Sequence, residues 1–167
     1  MRRLLWAPWR MEYVVAGGRR KGCFFCEYWK KPAQDRRNLV LARGRFCYAV
    51  LNRYPYNGGH LMVVPSRHVS RLEDLCEETL PEVMRLVRTA EKVLRRELRA
   101  DGFNVGFNVG RPAGAGIKDH LHLHVVPRWE GDNNFMPVLN GTRVVPVALE
   151  KLWAQLAPAF AAETRGV

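Results

Sequence analysis

Three of the chain's five histidines stand at alternate positions in HLHLHVV, residues 120–126. A strand sends successive side chains to opposite faces. His120, His122 and His124 would then share one face, and Leu121, Leu123 and Val125 the other. Three aligned imidazoles are costly to bury without partners, so the row points to chemistry rather than packing. At a rise of about 3.3 Å per residue, His120 and His124 lie roughly 13 Å apart along such a strand. One metal with Zn–N bonds of about 2 Å cannot hold all three. It can hold two neighbours, or one histidine plus ligands from elsewhere, so the three must divide their roles. The preceding stretch GRPAGAGIKDH contains three glycines. Such a loop can turn backbone N–H groups toward an anion, and beside three imidazoles it reads as a phosphate cradle.

Cys23 and Cys26 form the second chemical pattern, C-x-x-C. Alone it is a redox motif or half of a metal site. Cys47 and Cys76 lie in apolar contexts and read as core residues. The opening MRRLLWAPWR has no long apolar stretch, so it reads as mature protein rather than a signal peptide. That implies a cytoplasmic protein without a disulfide framework. No apolar run approaches the ~20 residues of a membrane span.

The elements that must position these residues follow from pattern. The 167 residues suit one domain: an arm over 1–21, a core over 22–146, and a C-terminal helix and tail over 147–167. The arm is rich in Trp and Arg and, across Pro8, cannot be regular helix. Residues 27–38 are polar and read as loop. RFCYAVLNR (45–53) and HLMVVP (60–65), joined by YPYNGG, predict an antiparallel hairpin. Ser70 with Glu73 fits a capping box. The helix beyond it has an apolar stripe from Leu80 through Val83, Met84, Val87, Ala90, Val93 and Leu94. Its arginines (85, 88, 95, 96, 99) take other faces and read as its solvated side. FNVGFNVG (103–110) and HLHLHVVP (120–127) predict strands. VLNGTRVVP contains the turn pair Asn-Gly and reads as a hairpin. PVALEKLWAQLAPAF is a final helix started by Pro146 and disturbed at Pro158. The sum is α+β: a mainly antiparallel sheet packed by a long helix, with a C-terminal helix.

The formal charge is +11, with 27 Lys plus Arg against 16 Asp plus Glu. This predicts attraction to polyanions, nucleotides or nucleic acid among them, although no nucleic-acid-binding motif accompanies the basic clusters.

HLHLHVV matches the His-φ-His-φ-His-φ-φ signature of the histidine triad superfamily, φ being apolar. AVLNRYPYNGGHLMVVPSRHV resembles that family's strand–turn–strand segment. GFNVGFNVG, a Gly-rich loop and the triad follow in the family's order. LWAPWRMEYV and VVPRWEGDNNFMPV resemble its diadenosine tetraphosphate phosphorylase-like branch and bacterial relatives. The resemblance covers nearly the whole chain except the last 20 or so residues.

It implies nucleotidyl transfer or hydrolysis at the α-phosphate of a dinucleoside polyphosphate. His122 would be the nucleophile, forming a nucleotidyl-histidine intermediate. His124, the backbone of Ala115 and Gly116, and the Asn108 side chain would steady the phosphate. Asn52 and His60 would line the nucleotide site. Many relatives carry Ser, Thr or Gln just before the triad. Gly116 aligns best with that position and has no hydroxyl, which leaves open what protonates the leaving group. Some relatives hold zinc with two cysteines and two histidines, as galactose-1-phosphate uridylyltransferases do; the matching positions are Cys23, Cys26, His68 and His120. A homodimer is implied, and inorganic phosphate is a possible second substrate. Phosphorylase, hydrolase and nucleoside phosphoramidase all remain open. So do two readings of another class: a nucleic-acid-binding protein with a vestigial triad, and a catalytic metalloenzyme with its metal on His120 and His122.

Overall fold

Short runs of Val, Leu and aromatic residues bounded by Gly, Asn and Pro build the sheet. The structure, a computed structural model, describes residues 22–132 and 148–164. The expected arm over 1–21 and the hairpin in VLNGTRVVP lie outside them. The five strands are β1 (Val40–Arg43), β2 (Cys47–Leu51), β3 (Leu61–Pro65), β4 (Gly102–Phe107) and β5 (Leu123–Arg128). They form one sheet in the order β1-β2-β3-β5-β4, with each neighbouring pair antiparallel. The predicted hairpin is β2–β3. At its turn, Gly59 has φ +85°, and a Cβ there would press on the Leu98 side chain; glycine meets both demands. β1 escaped the sequence reading because four residues are too few for alternation to register.

The helices are α1 (Phe24–Lys30), α2 (Asp35–Asn38), α3 (Thr79–Leu98) and α4 (Leu149–Thr164). The loop expected over 27–38 is instead mostly helical: α1, a 3-10 turn at Pro32–Gln34, and α2. Helices this short do not persist alone. Tertiary contacts hold them. Arg43 donates to both carboxylate oxygens of Asp35 and to the carbonyls of Tyr28 and Trp29 at the end of α1. Helix ends leave such carbonyls in need of partners; Tyr28 O accepts from the Lys31 N–H at 3.3 Å as well.

The capping box is a second correction. Ser70 precedes a separate 3-10 turn, Leu72–Asp74, and Glu73 lies within it; Arg71 holds Glu73 in an ion pair. Helix α3 starts later, at Thr79, without a side-chain cap. Cys76 sits at that entry, half-buried, its Sγ 2.8 Å from Thr79 Oγ1; only Cys47 is a core cysteine. Leu80 and Met84 are exposed, so the buried stripe runs from Val83 to Leu94.

The sheet has two different faces. On one, α3 and α4 cover Cys47, Ala49, Leu51, Leu61, Val63, Leu123 and Val125. Pro158 lies within α4, whose Leu152, Leu156, Ala159 and Phe160 are buried. On the other face, Val40, Tyr48, Val50, Met62 and Val64 pack around Phe25 of α1. Among the described residues, no helix is long and apolar enough to cross a membrane.

Candidate active site and metal cluster

The histidines gather on the thinly covered face. β5 starts at Leu123, so His120 and His122 lie in the extended segment leading into it, and His124 lies within it. Leu121 N–H donates to Val69 O at 2.6 Å and anchors that segment. His120 and His122 are buried, at 0% and 4% exposure; His124 is half-buried. Burial pushes the His122 imidazole below its ordinary range, and that of His120 down to about 4.

Hydrogen bonds assign the protons. His122 Nδ1 lies 2.8 Å from the carbonyl of His120. A carbonyl only accepts, so Nδ1 carries the hydrogen and Nε2 keeps its lone pair. Tyr56 N–H donates to His60 Nδ1 at 3.0 Å. His60 must then donate from Nε2, which lies 2.9 Å from His124 Nδ1. His124 accepts there, so its own proton is on Nε2. The backbone of Tyr56 thereby makes His124 a donor. His60 itself is 1% exposed and stacks under Tyr56 at 4.8 Å.

The other expected residues are spread around this centre. Asn52 is half-buried; its Oδ1 accepts from Tyr54 N–H, and its Nδ2 lies 3.4 Å from His60 Nδ1. Asn108 lines a groove of about 590 Å³ with His124, Tyr56, Asn104 and Gly106. Gly106 pairs across the sheet with His124, and a Cβ on it would meet open space. Ala115 N–H is engaged by Gly110 O at 3.3 Å, closing the glycine loop on itself. Gly116 is exposed in the same loop.

Cys23, Cys26, His68 and His120 come together. Their ligand atoms lie within 4.8 Å of one another. His120 Nδ1 is 3.2 Å from Cys23 Sγ, 3.5 Å from Cys26 Sγ and 3.2 Å from His68 Nδ1; Cys26 Sγ is 3.3 Å from His68 Nδ1. These separations suit four ligands around one ion with bonds of about 2.0–2.3 Å. His120 Nε2 donates to Pro65 O at 2.8 Å, which fixes the tautomer with Nδ1 free to ligate. Burial and the adjacent Cys23 push the Cys26 thiol up to about 11, so a cation is needed to hold that sulfur as a thiolate. The cluster can bind a metal. The sequence reading did not foresee Phe25, fully buried between the two cysteines, with its ring 5.4 Å from His120 and 5.2 Å from His122. The apolar residue inside C-x-x-C was the available signal.

The model of the HIT domain matches residues 35–131. A protein named AP-4-A phosphorylase from Mycobacterium tuberculosis is 43% identical over 166 residues, covering 94% of this chain and 84% of that one. A protein named bis(5'-nucleosyl)-tetraphosphatase (asymmetrical), from Schizosaccharomyces pombe, is 33% identical over 56% of this chain and 50% of its own. A Zn-bound histidine triad family protein from Mycobacterium smegmatis superposes with a TM-score of 0.68 at 26% identity, covering 87% of this chain and 98% of that one.

Proposed function

This chain belongs to the HIT domain family, and from that premise we propose that it is a dinucleoside polyphosphate phosphorylase acting through a nucleotidyl-histidine. The carrying observation is the tautomer of His122: with Nδ1–H held by the His120 carbonyl, Nε2 offers its lone pair. Nε2 attacks the α-phosphorus and the bond to the bridging oxygen breaks. His124, a donor at Nε2, is placed to neutralise the charge that develops on the phosphate oxygens and to give the leaving group a proton. Gly116, in the loop before the triad, offers no hydroxyl for that task. Inorganic phosphate then displaces the nucleotidyl group and frees His122. Asn52, Asn108 and the glycine loop of Ala115 and Gly116 surround the nucleotide and its phosphates.

The reading also assigns zinc to Cys23, Cys26, His68 and His120, with a structural role. All four positions would be filled by protein, which leaves no open site for substrate. A catalytic metal on His120 and His122 fits poorly, because His120 has both nitrogens committed elsewhere, Nε2 to Pro65 O and Nδ1 to the Cys23, Cys26 and His68 cluster. A homodimer is part of the reading, and the exposed Val105 on β4, last strand of the described sheet, suits a partner.

Product analysis tests the function. Incubation with diadenosine tetraphosphate should yield ADP and ATP only when inorganic phosphate is present, and His122→Ala should abolish turnover while retaining nucleotide binding. AMP and ATP formed without phosphate would identify a hydrolase. No product, with turnover of a nucleoside phosphoramidate, would identify a phosphoramidase.

A further inference from the structure

Helix α3 turns its cations to one side. Arg85, Arg88, Lys92, Arg95 and Arg96 fall within roughly a third of the helix circumference and span about 16 Å of its axis. All five are exposed, and exposed Arg99 at the C-cap continues the row. The acidic residues of the helix, Glu82, Glu91 and Glu97, lie off this arc. Among the described residues, carboxylates reach two of the cations: Glu163 contacts Lys92 and Arg96, and Glu97 contacts Arg96. Arg95 donates to the Asp101 carbonyl and covers the Phe103 ring at 5.1 Å, contacts that leave its charge uncancelled. Arg85 and Arg88 have no ion pair among the described residues.

A merely solvated helix face gains from alternating signs at three and four residues. Here Glu91 stands three residues from Arg88 and four from Arg95 but forms no ion pair among the described residues, and like neighbours outnumber opposite ones: Arg85 with Arg88, Arg88 with Lys92, and Lys92 with Arg95 and Arg96. Each like pair costs a few tenths of a kcal/mol. The opposite, apolar side of α3 is closed into the core, and the sheet separates the row from the histidine face.

We propose that this row docks the sugar–phosphate backbone of a nucleic acid, independently of nucleotide turnover. Five of the six cations are arginines, whose planar fork suits phosphate oxygens. No exposed amide or aromatic side chain stands on the row, so binding is indifferent to base sequence. A membrane is disfavoured, because an amphipathic helix needs an apolar face to insert, and Val83, Leu86, Val87, Val93 and Leu94 are already buried.

The test is fluorescence anisotropy with a short labelled DNA duplex across a salt series. The full chain should lose about 10³-fold in affinity between 50 and 200 mM salt. The triple variant Arg85→Gln, Arg88→Gln, Arg95→Gln should bind about tenfold or more weakly, with a salt slope reduced by about 3. Lys31→Gln, Arg37→Gln, Arg45→Gln removes the same charge elsewhere and should bind nearly as the parent does. Thermal melts report folding independently of catalysis, and the double variant Arg85→Gln, Arg88→Gln spares the Phe103 contact. Equal losses in both triple variants would reduce the effect to net charge and overturn the proposal. So would failure of the parent to bind the duplex, or tighter binding to vesicles containing phosphatidylglycerol than to DNA.

Discussion

Two backbone groups set the tautomers of two catalytic candidates. The carbonyl of His120 accepts from His122 and so keeps that ring's hydrogen on Nδ1, and the N–H of Tyr56, acting through His60, leaves the hydrogen of His124 on Nε2. Alternation in HLHLHVV made the triad legible from sequence, but not this relay. His60 and His124 are 64 residues apart, and a backbone donor leaves no trace in composition. His60→Ala should therefore lower kcat by about 10²-fold while KM changes little. A raised KM with kcat intact would place His60 against the nucleotide instead. Gly106 gives a second check at this scale. A side chain there enters the groove beside His124 rather than the core, so Gly106→Leu should raise KM about tenfold or more without lowering the melting temperature.

At the scale of elements, one buried carboxylate joins α3 to the sheet. Glu82 Oε1 accepts from Phe46 N–H at 2.8 Å, Cys47 N–H at 2.9 Å and the Cys47 thiol at 3.2 Å. Gly44 leaves room for it: a Cβ there would collide with the same oxygen. Glu82→Ala should cost about 3 kcal/mol in urea unfolding, because two N–H groups lose their acceptor. Burial alone would raise the Glu82 pKa, but the hydrogen bonds from Phe46 and Cys47 carry it below its ordinary value of 4.5. A depressed folded pKa means stability that is present above pH 4.5 and lost as pH falls through the folded value. The acid limb of a stability–pH curve should therefore flatten in Glu82→Gln; an unchanged limb would remove Glu82 from the acid response. Sequence displayed α3 through its apolar periodicity. It did not display α1 and α2, because they hold their shape through Arg43 and Phe25 rather than through their own propensity.

On the scale of the molecule, the sheet divides the labour. One face carries the long helices and the larger core, and the other carries the histidines under α1, about two turns of helix. That asymmetry was legible from alternation in β5 and the stripe on α3. The manner in which α1 is fastened was not, because the four ligand atoms come from three separated segments. α1 is seven residues long, too short to hold itself, and it delivers both Cys26 and Phe25. If zinc joins Cys23 and Cys26 to His68 and His120, it also sets the backbone of His120, whose carbonyl orients His122, and seats Phe25 against both rings. Protein purified without added metal should then contain close to one zinc per chain. Chelation, or Cys26→Ser, should lower the melting temperature by about 10 °C. It should also lower kcat more than it raises KM, because the nucleophile is disordered while the nucleotide groove is not. Zinc loss with kcat unchanged would make the cluster a fastening for α1 alone. An intact fold containing no metal would leave the four side chains without the role assigned to them.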